Sequence, residues 1–314
     1  METPAAVAHL EVVPVPGHGA EDVVVLTSGP LAGWVVTGTE DGQVLAVAAE
    51  GGEVRRVGDT GGRPLGIEEL GDGTLLVCDA HRGLLRLDPT TGAVTVLLDR
   101  VGGVPMRFCN NAAVASTGEI YFSDSSRAFG IEEWKADFVQ VTRTGRLLRL
   151  TPDGRVSTLI DGLAFANGVA LSADESWVAV AETAARTVVR LWLRGDLAGR
   201  RDLLVDDLPG YPDNIARGSD GLTWVTIASP RDPVVERLQR GPAWLRRQVT
   251  RLPAALQPAP KRTVRVQAYD DGGALVHDLD LDAGGFHMVT GVREHEGRVW
   301  FGSLHEPAVA SCRV

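Results

Sequence analysis

Along most of the chain, apolar and polar positions alternate in short runs that break at clusters of Gly, Asp, Asn and Ser. A period of two marks a half-buried strand, and such clusters are turn chemistry. Six stretches share one layout, in which a hydrophobic strand ends in a small or polar corner and then restarts: GWVVTGTEDGQVLAV, TLLVCDAHRGLLRL, EIYFSDSSRAFGI, WVAVAETAARTVVRLW, TWVTIASPRD and VWFGSLHEPAVASC. Each follows a shorter apolar strand and a turn such as GDG, STG, SADES, GSDG or HEG. Strand, turn, strand, corner, strand is the order within a propeller blade. The units recur at roughly 45 positions, the period of such a blade. The pattern predicts an all-β chain, a six-bladed β-propeller forming a single domain over residues 1–314.

The last unit begins near Thr290 and the chain ends at Val314, which leaves room for three strands. The strand-like segment HLEVVPVPG, residues 9–17, supplies the missing fourth. An N-terminal strand closing the last blade leaves no open sheet edge.

Two units are long. SRAFGIEEWKADFVQVTRT, between Ser125 and Thr144, is a corner insertion placed to carry specificity, because loops on a rigid scaffold do so. The second, Pro230 to Pro260 in blade 5, has helical spacing. Val234, Val235 and Leu238 mark one short helix, and after Gly241 and Pro242, Trp244, Leu245, Val249 and Leu252 mark another. The other faces carry Arg237, Arg240, Arg246, Arg247 and Arg251. This helical insertion is either a lid on its own propeller or, as a basic amphipathic segment, a peripheral membrane or partner contact.

The net charge of -10 argues against nucleic acid as a partner, which calls for a basic patch. No apolar run reaches the roughly 18 residues of a membrane span. No Lys or Arg precedes Arg55 and no apolar signal core is visible, so the expected location is cytoplasmic. Cys78, Cys109 and Cys312 lack the paired spacing of a zinc site and are expected to be buried and reduced.

Candidate chemistry sits where blades begin. LPGYPDN brings Asp213 and Asn214 to the start of one blade, FCNN brings Asn110 and Asn111, FANG brings Asn167, and GAED brings Glu21 and Asp22. The first strand of a blade runs along the central channel, so these positions face one another across it. Glu21, Asn110, Asn167 and Asp213 then offer two carboxylates and two amide carbonyls to one point. Taken singly, each is an ordinary turn residue that bonds its own backbone; their recurrence at matching offsets is the signal. An all-oxygen set of mixed charge suits calcium, whereas zinc would want His or Cys. By strand alternation Asn111 and Asn214 point elsewhere, as a layer behind the ligands.

The segments GRPLGIEELGDGTLLVCDAHRGLLRLDP, NNAAV with IYFSDSS, FANGVALSADESWVAVAET and LPGYPDNI together resemble the strictosidine synthase-like family, most closely its adipocyte plasma membrane-associated branch. The resemblance implies a six-bladed propeller related to gluconolactonases, paraoxonases and diisopropyl-fluorophosphatase. It also implies a catalytic calcium in the tunnel, held by Glu, Asn, Asn and Asp at the positions of Glu21, Asn110, Asn167 and Asp213. Two departures matter. True strictosidine synthases use a glutamate where this chain has Thr290, and an alcohol cannot exchange protons near neutral pH as a carboxylate does. The branch also has an Asn-Asp pair where Asn110 and Asn111 stand, so this chain brings less negative charge to that point.

The expected activity is therefore calcium-dependent hydrolysis of lactones, aryl esters or related small esters. Asp213 is the candidate base or nucleophile, with Glu21 as the alternative. His287, just before the inner strand of the last blade, is a second candidate base at the tunnel mouth. His81, His295 and His305 are read as structural. The competing expectation is a non-catalytic, calcium-stabilised propeller acting as a binding scaffold; a condensing enzyme is disfavoured by Thr290, with Glu294 the one nearby acid.

Overall fold

Each blade can be traced strand by strand in the structure, a computed structural model that describes residues 9–253, 257, 259–282 and 284–314. Among the described residues, six four-stranded antiparallel sheets follow one another along the chain. Their inner strands are Val24–Val25, Pro64–Glu69, Cys109–Val114, Ala166–Leu171, Gly210–Arg217 and Val289–His295, for blades 1 to 6. In blades 1 to 5 the strands are ordered as in the sequence. Blade 6 is closed by Glu11–Pro14, which pairs antiparallel with Ala308–Arg313 from Glu11 opposite Ser311 to Pro14 opposite Ala308. The N-terminal strand expected within residues 9–17 thus completes the ring.

The sequence period explains where the core lies. Successive residues of a strand face opposite sides, and in the middle strands both sides meet another blade. Leu75 and Val77 join the cluster shared with blade 1, whereas Leu76 and Cys78 join the one shared with blade 3. Val178 and Val180 pack towards blade 3, and Trp177, Ala179 and Ala181 towards blade 5. The core is accordingly a set of apolar layers between neighbouring blades, and strands such as Leu75–Asp79 are buried throughout. Cys78, Cys109 and Cys312 are buried and free.

Both insertions contain helices. Residues 125–144 hold α1 (Trp134–Gln140), and the blade 5 insertion holds α2 (Pro233–Gln239) and α3 (Ala243–Val249). Asp232 caps α2 by accepting from the Val234 and Val235 amides at 2.8 and 3.3 Å, with Pro233 in the first turn. Leu252 lies beyond the end of α3, and residues 254–256 and 258 of this insertion fall outside the described residues.

The inner strands of blades 2 to 6 carry the same irregularity. In blade 3, Cys109 pairs with Asp124 and Ala112 with Phe122, so one extra residue is inserted on the inner strand. The same offset occurs after Pro64, Ala166, Pro212 and Val289. A bulge releases residues from the ladder and re-aims them, here at the tunnel. Because each inner strand starts opposite the end of the second strand, the bulges share one end of the propeller with the corners that carry α1 to α3.

Around the tunnel, bare backbone alternates with polar side chains. A Cβ on Gly66 would sit 2.7 Å from Asn111 Cα, one on Gly168 would sit 2.0 Å from the Ile215 nitrogen, and one on Gly291 would sit 2.6 Å from Asp22 Cα. Blades 2, 4 and 6 therefore admit the polar residues of blades 3, 5 and 1 through glycine. Gly168→Ala should destabilise the fold by about 3 kcal/mol, the upper range for forced overpacking. Gly71→Ala, which meets no atom within 4 Å, should shift stability by less than about 0.5 kcal/mol. Urea unfolding of the two variants checks this, and equal midpoints would refute the close approach.

Candidate metal centre and the cavity above it

The structure brings Glu21, Asn110, Asn167, Asp213 and Thr290 to the floor of one cavity. Glu21, Asn110 and Asn167 are buried, and Asp213 keeps part of its surface open to the cavity. Neighbouring groups orient them. Asn167 donates its Nδ2 to Thr183 Oγ1 at 3.2 Å. Thr290 Oγ1 donates to the Glu21 carbonyl at 2.8 Å and fixes the segment that presents the glutamate. Asn214 Nδ2 donates to Glu21 Oε1 at 3.3 Å.

What remains unbonded is informative. Glu21 Oε2, Asn110 Oδ1, Asn167 Oδ1 and Asn214 Oδ1 are buried and find no hydrogen-bond partner among the described residues. Leaving one buried acceptor unsatisfied costs about 1–3 kcal/mol. Three of them, on Glu21, Asn110 and Asn167, belong to residues that line the same cavity, and together they call for a shared partner such as an ion or water. Among the described residues no three His, Cys, Asp or Glu side chains form a metal-binding group, so the donor chemistry here is carboxylate plus amide. That all-oxygen set fits a hard cation such as calcium.

Electrostatics agree. Burial raises the Glu21 carboxyl well above its usual range, and the nearby Asp22 and Asp213 charges raise it further, against Arg63 and the Asn214 amide. Burial pushes Asp213 up to about 7, opposed by the Asn167 amide and reinforced by Asp22. Without a cation these two acids keep their protons to higher pH than ordinary carboxylates do; a divalent ion beside them would oppose that shift.

Asp22, Asn111 and Asn214 form a second ring. Asp22 Oδ2 accepts from the Ile67 amide at 3.0 Å and from Asn111 Nδ2 at 3.4 Å, and Asn111 Oδ1 accepts from the Val169 amide at 2.9 Å. These bonds tie blade 1 to blade 2, and blade 3 to blades 1 and 4. Asn111 thus spends its polar atoms on the ring, while Asn214 touches Glu21 directly. Burial also pushes Asp22 up to about 7, opposed by Arg293, which is paired with Glu68 at 2.5 Å.

His287 lies elsewhere. It is not among the residues lining the cavity; its Nδ1 pairs with Glu306 and its Nε2 stands 3.4 Å from Arg262. The structure does not bring it to the floor. Glu294 is likewise engaged, accepting from Ser219 Oγ and the Asp220 and Gly297 amides. His81 bonds Glu132 at 2.6 Å.

Above the floor the walls are apolar, and most of these residues carried no mark in the sequence. Phe108 and Phe165 meet edge to face at 5.5 Å, and Phe138 of α1 meets Tyr211 at 4.7 Å. Leu65, Trp134, Val235 and Val249 complete a chamber of about 990 Å³ counting its open mouth. The helices close over it as a roof. Gln239 Nε2 donates to the Phe138 carbonyl at 2.9 Å, and Gln140 Nε2 to Thr250 Oγ1 at 2.9 Å. Buried Glu236 of α2 pairs with Arg186 of blade 4 at 2.9 Å and with Arg231 at 2.7 Å.

A six-bladed propeller with an oxygen-lined hub beneath a roofed apolar chamber is the class this chain defines. The strictosidine synthase family profile matches residues 110–196. A strictosidine synthase-like protein (number 10) from Arabidopsis thaliana is 35% identical over 257 residues, 78% of this chain and 68% of that protein. The adipocyte plasma membrane-associated protein of Homo sapiens is 33% identical over 303 residues, 88% of this chain and 72% of that protein. The chain belongs to the strictosidine synthase-like family. In fold it is similar to a gluconolactonase from Xanthomonas campestris, with a TM-score of 0.71 at 18% identity over 98% of this chain and 89% of that one. It is also similar to the calcium-binding protein regucalcin from Agrobacterium tumefaciens, with a TM-score of 0.64 at 13% identity over 96% and 94%.

The raised acids give a pH signature. Between about 4 and 7 the folded state holds a proton on Asp213 that the unfolded chain has released, so stability falls as pH rises through that window. In chelator, the melting midpoint of Asp213→Asn should drop less from pH 5 to pH 8 than that of the parent. Identical pH slopes would place Asp213 outside the buried cluster.

Proposed function

We propose that the chain is a calcium-dependent hydrolase of lactones, aryl esters or related small esters. The observation that carries the reading is the set of partnerless oxygens on Glu21, Asn110 and Asn167 beside Asp213, at the floor of an apolar chamber. These four residues would hold the ion. When bound there, the ion would supply Lewis-acid chemistry for a scissile carbonyl.

The chain's own residues supply the rest. Asp213, open to the cavity, takes the proton from the attacking water at its carboxylate oxygen as general base, and returns it to the departing alkoxide oxygen as the acyl C–O bond breaks. Asn167 and Thr183 hold the floor in register, and Thr290 pins the Glu21 segment. Phe108, Phe165 and Phe138 exclude bulk water and hold the apolar body of the ester against the floor. The fold likeness to a gluconolactonase and to a protein described as calcium-binding supports the choice of reaction and ion. A condensing role lacks an acid at the floor of blade 6, where Thr290 stands.

Phenyl acetate and a small lactone panel, assayed with calcium and with EDTA, test this. Turnover should vanish in EDTA while circular dichroism shows the chain still folded, and Asp213→Ala should lose at least about 100-fold in kcat. Calcium at about 100 times its Kd should stabilise the parent by about 2.7 kcal/mol. Calcium stabilisation without hydrolysis of any panel member would support the scaffold reading instead; full turnover by Asp213→Ala would remove the hub from the mechanism.

A further inference from the structure

The outer face of the blade 5 insertion is unlike the rest of the surface. Val234, Trp244, Leu245 and Leu252 are 68%, 64%, 37% and 42% exposed. Among the described residues, Trp244 is the one aromatic side chain with large exposure. These apolar groups are interleaved with Arg237, Arg240, Arg247 and Arg251, all exposed. The two acids of this segment are engaged: Asp232 caps α2, and buried Glu236 is paired with Arg186, Arg231 and Arg240. Arg237, Arg247 and Arg251 therefore project positive charge from a protein whose net charge is -10.

The inner face of the same segment is committed to the chamber. Val235, Val249 and Thr250 line the cavity, and α2 is anchored to blade 4 through Glu236 and Arg186. The segment thus has one face packed on the propeller, as a lid does, and an opposite face that carries an exposed indole, aliphatic side chains and arginines together. Indole with aliphatic groups beside guanidinium groups is the composition that sits at an anionic lipid surface, rings at headgroup level and arginines on phosphates. Among the described residues no helix is long and apolar enough to cross a membrane.

We propose that α2 and α3 dock the propeller on an anionic bilayer, with Trp244 and Leu245 in the headgroup layer and Arg237, Arg247 and Arg251 on lipid phosphates. The chamber roof then faces the lipid, and an apolar ester reaches the cavity from the bilayer side. The docking surface is independent of the hub, so its test is run in EDTA, where failure of the hydrolase reading has no influence.

Co-sedimentation with vesicles of phosphatidylcholine alone, or of phosphatidylcholine with phosphatidylserine, reads the docking. The parent chain should sediment with the phosphatidylserine vesicles, and less with phosphatidylcholine alone or in high salt. Arg247→Glu with Arg251→Glu should weaken binding at least about tenfold. Trp244→Ser should weaken binding with its melting midpoint unchanged, and its fluorescence difference from the parent should report an indole that shifts to the blue on vesicles. The proposal is overturned if the parent ignores phosphatidylserine vesicles at low salt, or if the double charge reversal binds as the parent does. Concentration-dependent self-association abolished by Trp244→Ser would assign the face to a second copy of the chain and likewise overturn it.

Discussion

Two carboxylates and two amides, brought from four blades, line one cavity floor where burial raises the proton affinity of both acids. Their mutual repulsion and unpaired oxygens are a liability that only a proton, water or a cation relieves. The architecture holds the arrangement in place. The extra residue in each inner strand of blades 2 to 6 frees side chains from the ladder, and the alternation of glycine with Asp22, Asn111 and Asn214 lets the blades approach closely enough to interlock. Closure by Glu11–Pro14 keeps the circle from opening at blade 6.

The same topology gives the hub a chamber. Corners after the second strand share one end of the propeller with the inner-strand bulges, so lengthening two of them builds walls and roof over the floor. Blade 3 contributes Trp134 and Phe138, and blade 5 contributes Val235 and Val249. A polar floor beneath an apolar chamber suits a substrate with one polarisable carbonyl and an apolar body, since the walls offer area and the floor offers charge.

Much of this was legible in the chain because the blade repeat, the missing fourth strand and the helical spacing of residues 230–260 are all periodic signals. Glu21, Asn110, Asn167 and Asp213 were legible through recurrence at blade starts. Strand alternation sets Asn111 and Asn214 in a layer behind them, where Asn111 bonds Asp22 and the Val169 amide and Asn214 donates to Glu21 Oε1. Helix α1 lies inside a segment that reads as a corner insertion, since Ile131, Trp134 and Phe138 stand three and four apart over a stretch too short to outweigh a loop. His287 drew attention by its place in the sequence, but Glu306 and Arg262 hold it outside the chamber, a pairing no local pattern announces. The aromatic walls come from separate blades and share no motif.

Diffraction from crystals grown with calcium, with anomalous signal used to locate the ion, addresses the hub most directly. One ion on the tunnel axis, with Glu21, Asn110, Asn167 and Asp213 oxygens within about 2.3–2.6 Å, is the result this account predicts. An axis holding only water at saturating calcium, or an ion bound by other residues, would contradict it.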